Sequence, residues 1–217
     1  MAAPLTGTMP WPEMVTAWAV FGANVLSPGP NVFTTIAIAL GSGRRVALAV
    51  LPAIAIGVFV WSAAAVLGAH AAFSALPWLA PVLTAVGGAL LLVFATRYAR
   101  RALTWQGAEA EGRLMTPRAA FLLALGVLAA NPKALTTWLI LVTIFPAAEA
   151  SGTAMAIMIL GSVAVACGAH GLYALAFSTR PAARAYLRAG RWITAGVAVF
   201  FTALGVTLLW EASTAFA

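Results

Sequence analysis

Two short motifs place prolines and amides inside otherwise apolar sequence: Ser27-Pro28-Gly29-Pro30-Asn31 and Asn131-Pro132-Lys133. The chemistry these residue types support is the binding of a small charged solute. Proline has no N–H, so Pro28, Pro30 and Pro132 deprive the carbonyls of Asn24, Leu26 and Leu128 of their usual helical donors and leave them as acceptors for an ammonium group. Beyond each proline a new half-helix is expected, whose unpaired N–H groups carry about half a positive charge and suit a carboxylate. Lys133 adds a full charge there. A zwitterion such as a free α-amino acid needs both features within reach of one another. Pro28, Gly29, Pro30, Asn31, Asn131, Pro132 and Lys133 are therefore the candidate substrate-binding residues, with Asn24, Leu26 and Leu128 as the carbonyl acceptors. His170 and Lys133 are the candidates for proton coupling, His170 because imidazole is the side chain that ordinarily changes charge near neutral pH.

The elements that must position these residues are membrane helices. Only 8% of the 217 residues are charged against 63% hydrophobic, far from the roughly 25% charged residues of soluble domains. Six runs of about 20 apolar residues follow: 14 to 40, 46 to 69, 79 to 99, 119 to 144, 152 to 177 and 192 to 210. The proline motifs interrupt the first and fourth, each ~20 Å from the start of its run at 1.5 Å per residue. A membrane helix tolerates such a break where the freed backbone faces protein or a water-filled cavity, so a matched pair at mid-depth marks a binding site. The alternative is a pair of kinks that merely pack.

Eleven of the twelve basic residues fall in three connections: Arg44 and Arg45; Arg97, Arg100, Arg101, Arg113 and Arg118; and Arg180, Arg184, Arg188 and Arg191. The other two connections hold none. The positive-inside bias puts the arginine loops in the cytoplasm and both termini outside. With six spans, the halves at about 14–99 and 119–210 then run in opposite directions, joined by a cytoplasmic loop at about 100–118. The fold class expected is all-α: one polytopic membrane domain over 1–217, six transmembrane helices in a 3+3 inverted repeat, the first and fourth broken. The first thirteen residues carry no Lys or Arg, so the first helix is expected to be retained rather than cleaved as a signal peptide. Trp11, Trp78, Trp105, Trp192 and Trp210 stand at helix ends, as headgroup-level anchors do. Gly87, Gly88, Gly161, Gly168, Gly171 and Gly196 read as close-packing positions.

Pro28-Gly29-Pro30-Asn31, then Gly43-Arg44-Arg45, then Asn131-Pro132-Lys133, in that order and spacing, resembles the LysE/RhtB family of amino-acid exporters, small six-helix proteins of the bacterial inner membrane. The resemblance covers about residues 14 to 210. It departs after the Gly-Arg-Arg element, where Ala47 and Ala53 replace the family's usual glycines and only Gly57 is kept. Membership implies ion-gradient-driven export of amino acids or similar small metabolites and a bacterial inner-membrane location.

Several classes are excluded. Cys167 is the sole cysteine, so no intrachain disulfide or thiolate cage forms. With two histidines and no aspartate, a metal site, a metal hydrolase and an acid-base enzyme are disfavoured, and no cofactor is implied. The basic residues cluster between apolar runs rather than along one polar face, which argues against nucleic acid. Arg180, Arg184, Arg188 and Arg191 recur along one face of a helix leading into the sixth span and suit anionic lipid headgroups. No Glu falls within a span, so the expected substrate is a neutral amino acid or related metabolite. A passive channel or an exporter of another small polar solute is the alternative, and a homo-oligomer is left open.

Overall fold

The computed structural model describes residues 9–76, 78–105, 114–129, 131–147 and 149–215. Eight helices make up these residues: α1 (Trp11–Leu26), α2 (Pro30–Leu48), α3 (Val50–Ala75), α4 (Leu79–Leu103), α5 (Pro117–Ala129), α6 (Pro132–Ile144), α7 (Gly152–Ala176) and α8 (Arg180–Ala215). Four of them hold stretches long and apolar enough to cross a bilayer: Val50–Phe73, Pro81–Leu103, Gly152–Ala176 and Arg180–Thr214. At most 39% of each such stretch is buried within the protein, so most of its apolar surface must meet lipid. Val60, Leu67, Leu160, Leu172 and Val199 are among those exposed side chains. The chain is a polytopic, all-helical membrane protein.

The two interrupted runs appear as the pairs α1/α2 and α5/α6. At 16, 13 and 13 residues, α1, α5 and α6 are each too short to span a hydrocarbon core of about 30 Å. Within α2 the chain bends at Gly43, whose φ of 74° is a left-handed conformation natural to glycine. Arg180 to Arg191 do not form a separate surface helix; α8 runs continuously for 36 residues, about 54 Å, and the four arginines lie exposed on its first turns.

α4 packs along α8, and α7 lies against α1, α2 and α3. Gly88 and Gly205 set the first contact: a Cβ on either would come within 3.0 Å of the other's carbonyl oxygen. Gly168 and Gly196, expected to serve the same purpose, face open space. The Met115 amide donates to Ser42 Oγ at 2.7 Å, and the Trp105 indole covers Gly190. Through these contacts the three arginine-bearing connections gather at one end of the bundle. Trp105 is half-buried there, whereas Trp11, Trp78, Trp192 and Trp210 are exposed. At another connection, His70 Nδ1 lies 2.6 Å from the Ala147 carbonyl oxygen.

Candidate functional site

Each break follows from the missing proline donors. α1 stops at Leu26 because Pro28 and Pro30 cannot continue its ladder; Ser27 turns extended, with φ −75° and ψ 143°, and α2 restarts with Pro30 in its first position. α5 stops at Ala129 and α6 restarts with Pro132. These positions are remote in sequence yet line one cavity of about 60 Å³, room for a few waters or a small polar solute. Asn24, Gly29, Pro30, Asn31, Leu128 and Asn131, all singled out from the sequence, border it, as does His170. Phe21, Val58, Trp61 and Trp138 supply apolar wall, and the rings of Phe21 and Trp138 lie 5.2 Å apart.

Asn24 ties the two broken segments together. Its side-chain amide donates to Thr137 Oγ1 on α6 at 2.6 Å, and its Oδ1 accepts from the Tyr98 hydroxyl of α4 at 3.1 Å. Ser27 Oγ, itself 2.8 Å from that tyrosine oxygen, donates to the Asn24 carbonyl at 2.8 Å. All four side chains are buried. Buried polar groups need partners, and here the partners span α1, α4 and α6.

The carbonyl freed by Pro30 is not an open acceptor in this conformation. Leu26 O accepts from both the Tyr173 hydroxyl, at 2.9 Å, and the Tyr186 hydroxyl, at 2.8 Å, and Leu26 is not part of the cavity wall. The proline-freed group finds its donors in α7 and α8 rather than in a ligand. Pro28 also lies off the cavity, and its own carbonyl accepts from Arg101 Nη1 at 2.9 Å. The Arg101 guanidinium stands 5.7 Å from both the Phe33 and Trp105 ring centroids. Asn24 O takes the Ser27 hydroxyl, and Leu128 O takes the Asn131 amide at a long 3.4 Å.

Asn31 is placed differently. Its Oδ1 is buried with no hydrogen-bond partner, an unusual state for an acceptor at a cavity wall. Behind it, Thr35 Oγ1 donates to the Asn31 carbonyl at 2.9 Å and lies 2.8 Å from His170 Nδ1. The Lys133 backbone is the second residue of α6, but the side chains of Pro132 and Lys133 lie outside the described residues, as do Glu109, Glu111 and Arg113. Among the described residues, no group of three His, Cys, Asp or Glu is placed to hold a metal ion. Thr35, Tyr98, Thr137 and Trp138 escaped the sequence reading, and Ser27 stood in the first motif without an assigned role. Thr35 carried a usable signal, standing one helical turn after Asn31. Tyr98 and Thr137 carried none, because their roles depend on which helices meet.

Comparison with known proteins finds relatives among efflux proteins. The chain is 27% identical over 192 residues to the threonine efflux proteins of Escherichia coli (strain K12) and Salmonella typhimurium, covering 85% of this chain and 91% of each relative. No solved structure matches it. The family model of the LysE type translocator matches residues 23–212, which takes in both proline motifs and helices α2 to α7. On that match the chain belongs to the LysE type translocator family, and it is a membrane transporter rather than an enzyme.

Proposed function

We propose that this protein is a secondary active transporter that exports a small neutral amino acid or a related zwitterionic metabolite. The observation that carries the proposal is the shared cavity: two proline breaks about a hundred residues apart border the same space. In this reading α1/α2 and α5/α6 each cross the bilayer as one discontinuous span, giving six spans in two halves of opposite direction. The packing supports that pairing. Exchange of the halves turns α3·α7 and α4·α8 into themselves, turns α1·α6 into α2·α5, and turns α1·α7 into α3·α5, and all these pairs are in contact.

The half-helices α2 and α6 both begin at the cavity, so their unpaired N–H groups offer a place for a substrate carboxylate, with Lys133 beside the second. No acidic side chain borders the cavity among the described residues, which leaves a cationic side chain without a counter-charge and favours a neutral substrate. The threonine efflux relatives fit that class. Gathering of the arginine connections at one end supports their cytoplasmic placement, with both termini outside the bacterial inner membrane and the arginines of α8 against anionic headgroups.

The test is flux in proteoliposomes with an imposed pH gradient. Saturable, gradient-dependent movement of radiolabelled threonine, reduced at least about tenfold by Lys133→Ala, agrees with the proposal; ~1.4 kcal/mol of lost binding suffices for that factor. Non-saturable flux identifies a channel. Absence of any amino-acid flux overturns the substrate class.

A further inference from the structure

The cavity holds one relay whose hydrogen-bond directions can be read from the donors available. Thr35 has a single hydroxyl proton, and it goes to the Asn31 carbonyl, which can only accept. The 2.8 Å contact between Thr35 Oγ1 and His170 Nδ1 must then be donated by the imidazole. His170 is 3% exposed and borders the cavity. With its proton on Nδ1, a neutral imidazole has its lone pair on Nε2. The same relay fixes the backbone of Asn31, whose orphaned Oδ1 is the second acceptor at this wall.

We infer that His170 Nε2 and Asn31 Oδ1 form a recognition site for the primary ammonium group of the substrate, with Thr35 as the residue that sets the histidine tautomer. The inference deepens the transport reading and rests on it for the identity of the solute, though not for the geometry of the site. It replaces the Leu26 carbonyl, which two tyrosines occupy, as the place where a positive group is held. Two buried acceptors at a wall without acidic side chains among the described residues suit an ion that brings three N–H donors of its own. They discriminate against a solute whose amine is acylated, because one or both acceptors then stay unpaired.

Two measurements test this. The first is nitrogen NMR of the labelled protein in nanodiscs, made in a His70→Gln background so that His170 gives the only imidazole signals. The expected spectrum shows the Nδ1–H tautomer, loses that purity in Thr35→Val, regains it in Thr35→Ser, and moves on addition of ethylammonium but not acetate. An Nε2–H tautomer in the unaltered relay, a response to acetate instead of ethylammonium, or no response to either overturns the inference whether or not the protein carries amino acids. The second is counterflow of radiolabelled threonine with competitors. Unlabelled threonine, which differs from N-acetylthreonine only in its free ammonium, is expected to compete at least about tenfold better than that analogue, and Thr35→Val to raise KM about tenfold with Vmax nearly kept, the scale of one lost hydrogen bond. Equal competition by threonine and N-acetylthreonine overturns the ammonium site while leaving threonine transport standing. Failure to carry any amino acid overturns the transport reading, and the NMR arm still decides the site.

Discussion

At the scale of the residue, Asn24 and Asn31 look equivalent in sequence and divide into different roles in the structure. Asn24 spends both ends of its amide on protein, bridging Thr137 and Tyr98. Asn31 keeps an unpartnered buried acceptor at the cavity wall. Asn24→Ala should therefore act on stability, leaving Thr137 and Tyr98 without their shared partner and costing about 1–3 kcal/mol, measurable as a lower Tm in detergent. Asn31→Leu should leave Tm within a degree or two, since it removes an acceptor that nothing in the protein uses, and should reduce threonine counterflow by about tenfold or more. A large fall in Tm for Asn31→Leu with counterflow intact would reverse the assignment of the two amides.

At the scale of the element, both breaks were legible because proline chemistry is local: the missing donors of Pro28, Pro30 and Pro132 fix where α1 and α5 must stop. The six apolar runs were legible for the same kind of reason, since hydropathy and length need no tertiary information. What the freed carbonyls do was not legible. Whether Leu26 O meets a ligand or a hydroxyl depends on α7 and α8 arriving beside it, and Tyr173 and Tyr186 are the residues that arrive. The unbroken course of α8 was also hidden, because four arginines read as a polar surface segment until packing against α4 shows them as one end of a long helix. Close contact between elements gives a further prediction. A methyl added at Gly57 falls on the Leu128 side chain, so Gly57→Ala should push a cavity-wall leucine into the space beside Asn131. Overpacking of this kind costs ~1–3 kcal/mol, and transport should fall more than stability does. Paired measurement of Tm and counterflow checks it; unchanged flux would mean that Leu128 has another way to move.

At the scale of the whole molecule, the proposal is that two antiparallel broken segments enclose one wet space in an otherwise lipid-facing bundle. Charge distribution predicts its orientation: a reporter active only outside the cytoplasm should work when fused at either terminus and fail when inserted at 106–113. The enclosed space itself is tested most directly by thiol chemistry. A thiol reacts as its thiolate, which forms in water and not in hydrocarbon. Ala134 borders the cavity on α6, whereas Leu160 is exposed on the apolar surface of α7. In a Cys167→Ser background, the rate at which a membrane-impermeant methanethiosulfonate labels Ala134→Cys and Leu160→Cys in membranes, with and without threonine, is the decisive measurement. The account predicts labelling of Ala134→Cys that threonine slows severalfold, and no labelling of Leu160→Cys. Labelling of Leu160→Cys with an inert Ala134→Cys would contradict it.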